Sequence, residues 1–391
     1  MGIAVALLTS CESDDTPDIV INDNSTTNII NGGGGDNPGD TVVSLSGVYT
    51  EDLTLDAETE YLVTGPVLMA SGATLTIPAG KTIRVQPVGV NAYIAIQQGA
   101  RINAVGSASE PIVLTSNAGS PGAGDWGGLV VCGRAPINST PVGSENTATS
   151  EVGQLSYGGN IESDNSGTIQ YLRIEYAGGA IDGNAELNGL SLYAVGNGTT
   201  IDHIQIFEGS DDGVEFFGGT VNVSQVAVVN SEDDSIDWTE GYTGTLTDVY
   251  VQHGTAHDKA FECDGYNSDF SNEGGYFSAP QVNNVTVIGS GEAGTEAIRL
   301  RAGTQGIFTN VVVTNFEEAF DLDGDAGDNP TGQGVLDGLL QVIDVSFNNV
   351  TTKLKNDTGF DFTEADFISG DGNGTGTDVS SWGAGWTVGI N

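Results

Sequence analysis

Seven times between Ile169 and Phe347 the chain repeats one pattern: an apolar residue, two variable residues, an apolar residue, one variable residue, an apolar residue. The copies start at Ile169, Ile201, Val223, Leu246, Val282, Phe308 and Val342, with spacings of 32, 22, 23, 36, 26 and 34 residues. The shortest spacings set a unit of about 22 residues, and the longer ones are that unit plus a loop. A second short strand follows most copies: Val214-Glu215-Phe216, Ile236-Asp237-Trp238, Phe261-Glu262-Cys263, Ile298-Arg299-Leu300 and Phe320-Asp321-Leu322. Alternation at period two turns the flanking residues of each triplet inward and the middle one to solvent. Coils of this kind cannot bury an apolar face alone and must stack. The pattern therefore predicts an all-β, right-handed parallel β-helix with loop insertions, in which Ile204, Val226, Val249, Val285 and Val311 form one inward column. Helical periodicity is nearly absent, and 58 glycines suit the corners between strands.

Composition then narrows the partners. Ten Lys plus Arg stand against 53 Asp plus Glu, a formal charge of −43. Such a surface repels nucleic-acid phosphates and attracts cations. The length does not imply several globular domains, because a solenoid grows by stacking. Cys132 and Cys263 are separated by at least four coils, on the order of 19 Å at the strand spacing. That exceeds the roughly 7 Å reach of a disulfide, and both read as buried thiols.

The N-terminal segment carries an address. Residues Ile3 to Leu8 are apolar, and Leu8-Thr9-Ser10-Cys11 resembles the lipobox of bacterial lipoproteins, which implies acylation of Cys11 and an outer-membrane lipid as its partner. Glu12-Ser13-Asp14-Asp15 directly after that Cys resembles the surface-export signal of Bacteroidetes lipoproteins. The chain lacks the basic residues that usually precede the apolar run. Residues 1–10 thus read as a signal remnant, 11–44 as a lipidated, flexible tether rich in Gly, Asp and Asn, and 45–391 as one β-helix domain with terminal capping segments. Tyr61 to Val67, Ala73 to Ile83, Pro111 to Ser116, Gly124 to Leu129, Asp211 to Thr220 and the tail Trp382 to Thr387 together resemble a group of β-helical Bacteroidetes surface lipoproteins. The resemblance implies a fold and a surface-exposed, lipid-anchored location, and it names no activity.

Candidate chemistry gathers on an acidic ladder. Asp211 and Asp212, Asp233 and Asp234, Asp258, Glu296, and Glu317 and Glu318 occupy the corner entering the second strand, while Glu215, Asp237, Glu262 and Asp321 follow along its outer face. Carboxylates repeated at one coil position stand about 5 Å apart and repel. Calcium, which takes six to eight oxygens, is the cofactor this pattern suggests. Asp211, Asp212, Asp233, Asp234, Asp237 and Asp321 are the candidate ligands, with Asp323 and Asp325 on a nonstandard calcium loop that departs from the EF-hand pattern at Ala326 and Gly332. The alternative reading leaves these side chains capping corner amides or solvated.

Arg299 falls within the ladder and is a catalytic candidate only if the protein is a lyase; the plainer reading pairs it with Glu262 or Asp321. The long insertions carry Tyr157, Asn160, Tyr266, Asn267, Phe270 and Tyr276, rings and amides suited to a sugar or to a protein surface. Three functions remain open: a non-catalytic, calcium-stabilised surface lipoprotein that binds glycan or an outer-membrane protein, a polysaccharide lyase or glycosidase acting on acidic polysaccharide, and an accessory subunit of an outer-membrane transporter. A groove lined by convergent acids would favour the second.

Overall fold

The computed structural model describes residues 42–182, 185–324 and 330–390. Cys11, Asp325 and nearly all of the tether lie outside the described residues. The chain winds into a parallel β-helix, with twenty-two strands joined in one hydrogen-bonded system. The six-residue patterns form one stack. Gly167–Glu175 pairs with Thr200–Phe207, then Val223–Val229, Thr245–Gln252, Gln281–Ile288, Gly306–Leu322 and Leu340–Asn356, every pairing parallel. The short triplets form a second stack through Leu129–Cys132, Leu190–Tyr193, Val214–Phe217, Ile236–Thr239, Phe261–Asp264 and Glu296–Arg301. In the last two coils the two strands fuse into single runs of 17 residues.

The expected inward column exists. Leu172, Ile204, Val226, Val249, Val285, Val311 and Val345 lie in consecutive register and are wholly buried. Each such side chain contributes about 1.5–3 kcal/mol of burial relative to exposure. Beside them Trp238, Phe261 and Phe308 pack edge to face or tilted, and the Trp238 indole donates to Thr304 Oγ1 at 3.0 Å, so the core keeps no orphaned indole N–H. Cys263 is a buried free thiol of this core. Cys132, also free, belongs to a second apolar cluster beneath the insertion that follows it, where burial pushes its pKa up to about 12.

Why the pattern reads apolar at positions one, four and six is settled by its third residue. In a regular strand, positions one and four face opposite ways. Tyr171, His203, Gln225, Asp248, Asn284, Asn310 and Asp344 all take φ between 52° and 62°, a left-handed kink that returns both apolar residues to the interior. An L-residue there costs roughly 1–2 kcal/mol, least for Asn and Asp. The kinked residues partly offset that cost by stacking outside the coil. The Tyr171 and His203 rings stack at 4.1 Å, Gln225 Nε2 donates to Asp248 Oδ2 at 3.2 Å, and Asn310 Nδ2 donates to Asn284 Oδ1 at 2.9 Å.

The C-terminal segment then runs back across this stack. Asn310 Oδ1 accepts from the amide of Thr375, Thr286 Oγ1 accepts from the amide of Thr377, Gln205 exchanges two hydrogen bonds with Val388, and Arg173 Nη1 donates to the carbonyl of Trp386. Among the described residues, no helix is long and apolar enough to cross a membrane.

The kink generates a test. Asn284→Gly loses the outer contacts but keeps the left-handed backbone, whereas Asn284→Val also places a β-branched residue there. Chemical denaturation should find the valine variant less stable than the glycine variant by about 1–2 kcal/mol. Equal stabilities would remove the kink from the account of the fold.

Candidate functional site

The outer face of the second stack is a ladder set by register alone. Ser191, Glu215, Asp237, Glu262, Arg299, Asp321 and Lys355 follow one another through consecutive parallel pairs. Towards the C-terminus the signs alternate. In the middle, three carboxylates stand in succession, on a face that the sequence assigns to solvent. The fold instead half-buries Glu215 and Asp237 and buries Glu262, because the corners and insertions rise around them.

The corner acids meet this ladder from one side. Asp212 Oδ1 accepts from the amide of Asp234 one coil on, and Asp234 Oδ1 accepts from the amide of Lys259 in the next. Each carboxylate thus caps a backbone donor in the neighbouring coil, which fixes its position and leaves its second oxygen free for other partners. Lys259 ends the series. Its ammonium lies 2.5 Å from Asp258 Oδ2, 3.0 Å from Glu262 Oε1 and 3.8 Å from Asp234 Oδ1.

These groups line one concave pocket of about 430 Å³. It holds Asp211, Asp212, Asp233, Asp234 and Asp237 from the sequence reading, together with Glu215, Asp258 and Glu262. The pocket also takes Glu151 from a turn, Glu186 from the short strand Ala185–Glu186, and Asn188, which donates to Glu215 Oε2 at 2.6 Å. Nothing in the repeat pattern marks those three, since they sit outside it. Ten carboxylates therefore face three cations, Lys259, Arg299 and Arg301. Oxygens of Asp212, Glu215 and Asp237 lie within 4.8 Å of one another, as do those of Asp234, Asp237 and Glu262, and of Glu186, Asp211 and Asp233.

So many buried acids cannot all be ionised without compensation. Burial, reinforced by Glu186 and Asp233, pushes Asp211 up to about 8. Asp212, Glu215, Asp234 and Asp237 are raised well above the ordinary carboxylate range, first by burial and then by neighbouring carboxylates. Burial disfavours the charge on Lys259, but Asp234 and Glu262 outweigh it and hold the ammonium protonated.

Other sequence expectations land elsewhere. Arg299 pairs with neither Glu262 nor Asp321: its Nη2 lies 2.7 Å from Asp323 Oδ2. Glu262 is taken by Lys259 and Arg301, and Asp321 by Lys355 at 3.3 Å. Asp321 instead belongs to a smaller acidic group with Glu296 and Glu318, apart from the pocket. Asp323 is an ion-pair partner rather than part of the pocket, and Asp325 lies outside the described residues.

Of the insertion residues, Tyr157 is interior, 2% exposed, packed at a tilt against Tyr193 with ring centroids 4.8 Å apart and donating to Glu240 Oε1 at 2.9 Å. It pins a loop rather than meeting a ligand. Asn267 does similar work: its Oδ1 caps the amide of Asp269 and its side chain bonds Glu240. Tyr266 is half-buried against Phe277, Phe270 is exposed, and Asn160 and Tyr276 line a second, smaller cavity.

A family model described as a pectate-lyase like beta helix domain matches residues 47–387. No curated protein and no solved structure matches the chain.

Two outcomes follow from the electrostatics. Because the folded pocket raises its carboxyl pKa values above the unfolded ones, it binds extra protons, so its stabilising protonation is complete below the ordinary Asp value of 3.8 and is lost as pH rises through about 8. Thermal melts in chelator should therefore show stability falling between those limits, and a flat profile would refute the raised values. Lys259→Met should destabilise by about 3–5 kcal/mol, the cost of stranding buried charges, measured by denaturation at neutral pH. An unchanged midpoint would show that the ammonium is dispensable.

Proposed function

Since the chain belongs to the pectate-lyase-like beta helix family, we propose that its acidic pocket engages an acidic polysaccharide through bound divalent cations, without cleaving it. Pectate is a polymer of uronates, and a polyanion meets repulsion from ten carboxylates unless a cation stands between them. The observation that carries the reading is the convergence of carboxylate oxygens from successive coils into triads within 4.8 Å. Carboxylates offer only hard oxygen donors, which suits calcium, magnesium or manganese and excludes a soft thiolate-type site. Asp233 and Asp237 fit such a role best, because each belongs to two triads and no side chain or amide among the described residues donates a hydrogen bond to its carboxylate. Calcium is the ion we assign, for its tolerance of six to eight irregular oxygens. When bound, it would supply positive charge for the polysaccharide carboxylates, while Asn188 and the corner amides orient the protein's own oxygens.

The non-catalytic part rests on the cations. A lyase that uses an arginine or lysine as its base needs that group free, and the three pocket cations are engaged: Arg299 by Asp323, Arg301 by Asp264 at 2.6 Å and by Glu262, and Lys259 by three carboxylates. The same proposal places the protein on the cell surface, anchored to the outer membrane through acylated Cys11, where an acidic polysaccharide would be met outside the cell. A second reading, hydrolysis in the same pocket, is favoured by the concavity itself, since glycosidases use paired carboxyl groups across a cleft.

The test is binding of polygalacturonate and alginate with calcium or chelator present, with product analysis in parallel. We expect calcium-dependent binding and no product, with Asp237→Asn weakening binding about tenfold, the scale of one charged contact. Binding indifferent to chelator would end the cation reading. Reducing ends released by the wild type would promote hydrolysis, and turnover abolished in Arg299→Ala would restore the lyase. Mass spectrometry of the native protein should find an acylated Cys11, and an unacylated periplasmic form would remove the anchor.

A further inference from the structure

A second group of acids lies further along the ladder towards the C-terminus, outside the acidic pocket. Register places it. Glu296 and Glu318 are direct partners in adjacent coils, and Asp321, three residues beyond Glu318, pairs with Arg299 in one neighbouring strand and Lys355 in the other. The corner is held firmly: the amide of Glu318 donates to the Thr295 carbonyl at 3.0 Å, and the amide of Glu317 to Thr295 Oγ1 at 3.2 Å. One carboxylate oxygen from each of Glu296, Glu318 and Asp321 lies within 4.8 Å of the other two. Asp321 is only 2% exposed, and its Oδ1 is buried with no hydrogen-bond donor among the described residues. Glu296 Oε2 and Glu318 Oε2 are buried and without a donor in the same way. The cations at hand do not meet these oxygens closely. Arg299 reaches to Asp323, and Lys355 stands 3.3 Å from Asp321 Oδ2, 3.5 Å from Glu318 Oε2 and 3.5 Å from Asp357 Oδ2, beyond the roughly 2.7–2.9 Å of a close charge-assisted bond. Burial raises Glu296 and Asp321 above their ordinary values, in Asp321 against the pull of Lys355 and Arg299.

We propose that Glu296, Glu318 and Asp321 form a site for one calcium-sized divalent cation that clamps two adjacent coils, separate from the acidic pocket and independent of what that pocket binds. The convergence of three donorless oxygens carries the inference, because a buried carboxylate oxygen without a donor destabilises the fold unless a cation meets it. Geometry sets the size. Three oxygens within 4.8 Å of one another share a centre no more than about 2.8 Å from each, close to the roughly 2.3–2.6 Å of a calcium–oxygen bond. A bare ion of that size is smaller than a water molecule, so oxygens closed to water can still hold it. Charge sets the valence: three carboxylates less the one ammonium of Lys355 leave two negative charges, which one divalent cation cancels. Glu296 and Glu318 are only half-buried, so their second oxygens and solvent water complete the six to eight oxygens that calcium takes.

Metal analysis after equilibrium dialysis of the full chain against calcium would count bound ions in the wild type, in Glu296→Gln and in a pocket variant carrying Asp233→Asn and Asp237→Asn. Glu296→Gln should bind one ion fewer than the wild type, and the pocket variant should keep that ion. Because the substitution removes a charge from an undercompensated group, Glu296→Gln should melt in chelator at the wild-type temperature or above it, while calcium should raise its melting temperature less than that of the wild type. Anomalous diffraction from crystals grown with manganese should place a peak among the three side chains. An unchanged ion count in Glu296→Gln, a lower melting temperature of that variant in chelator, or no peak among these side chains would each overturn the site. A pocket variant that binds no ion at all would do the same.

Discussion

A parallel β-helix repeats every side-chain position at the spacing of one coil, close to 5 Å, and both faces of this protein follow from that single constraint. Turned inward, the repeat stacks Leu172 through Val345 into a column that excludes water. Turned outward, the same repeat forces Glu215, Asp237 and Glu262 into a file that electrostatics alone would never assemble. The inward column supplies the stability that holds the outward file in place. Compensation for the acids is local and graded: cross-coil amides cap Asp212 and Asp234, Asn188 serves Glu215, Lys259 closes the series, and Asp233 and Asp237 are left over.

Much of this was readable from spacing. The fold, the inward column, and the grouping of Asp211, Asp212, Asp233, Asp234 and Asp237 all depend on register, and register in a solenoid is written directly as sequence period. Partners of long side chains were less legible. Arg299 stands between Glu262 and Asp321 in the ladder yet reaches past both to Asp323, because Lys259, Arg301 and Lys355 already occupy its neighbours. Period is equally silent about insertions. Glu151 comes from a turn and Glu186 from a short antiparallel strand pair, both outside the repeat, so no period marks their arrival in the pocket.

The insertions also show why an aromatic residue in a Gly- and Asn-rich loop is an ambiguous sign. Tyr157 and Tyr276 look alike in sequence, yet one is consumed in holding the loop down and the other keeps its hydroxyl unused. Glu240 separates them. Wholly buried and raised by that burial to about 7, it receives Tyr157, Ser139 and Asn267, and so ties two insertions to one corner of the coil. A polar anchor buried beneath a loop is visible only once the coil is closed.

The returning C-terminal segment alters what kind of object the stack is. A solenoid in which each coil touches only its neighbours behaves as a linear array, able to fray from either end and to melt in pieces. Here the amides and carbonyls between Thr375 and Val388 bond in turn to Asn310, Thr286, Gln205 and Arg173, which belong to four different coils. Opening the last coils would release that segment from coils far along the axis. The array thereby acquires a long-range coupling term, and the part of the chain that would otherwise be its loosest end becomes the element that makes distant coils cooperate.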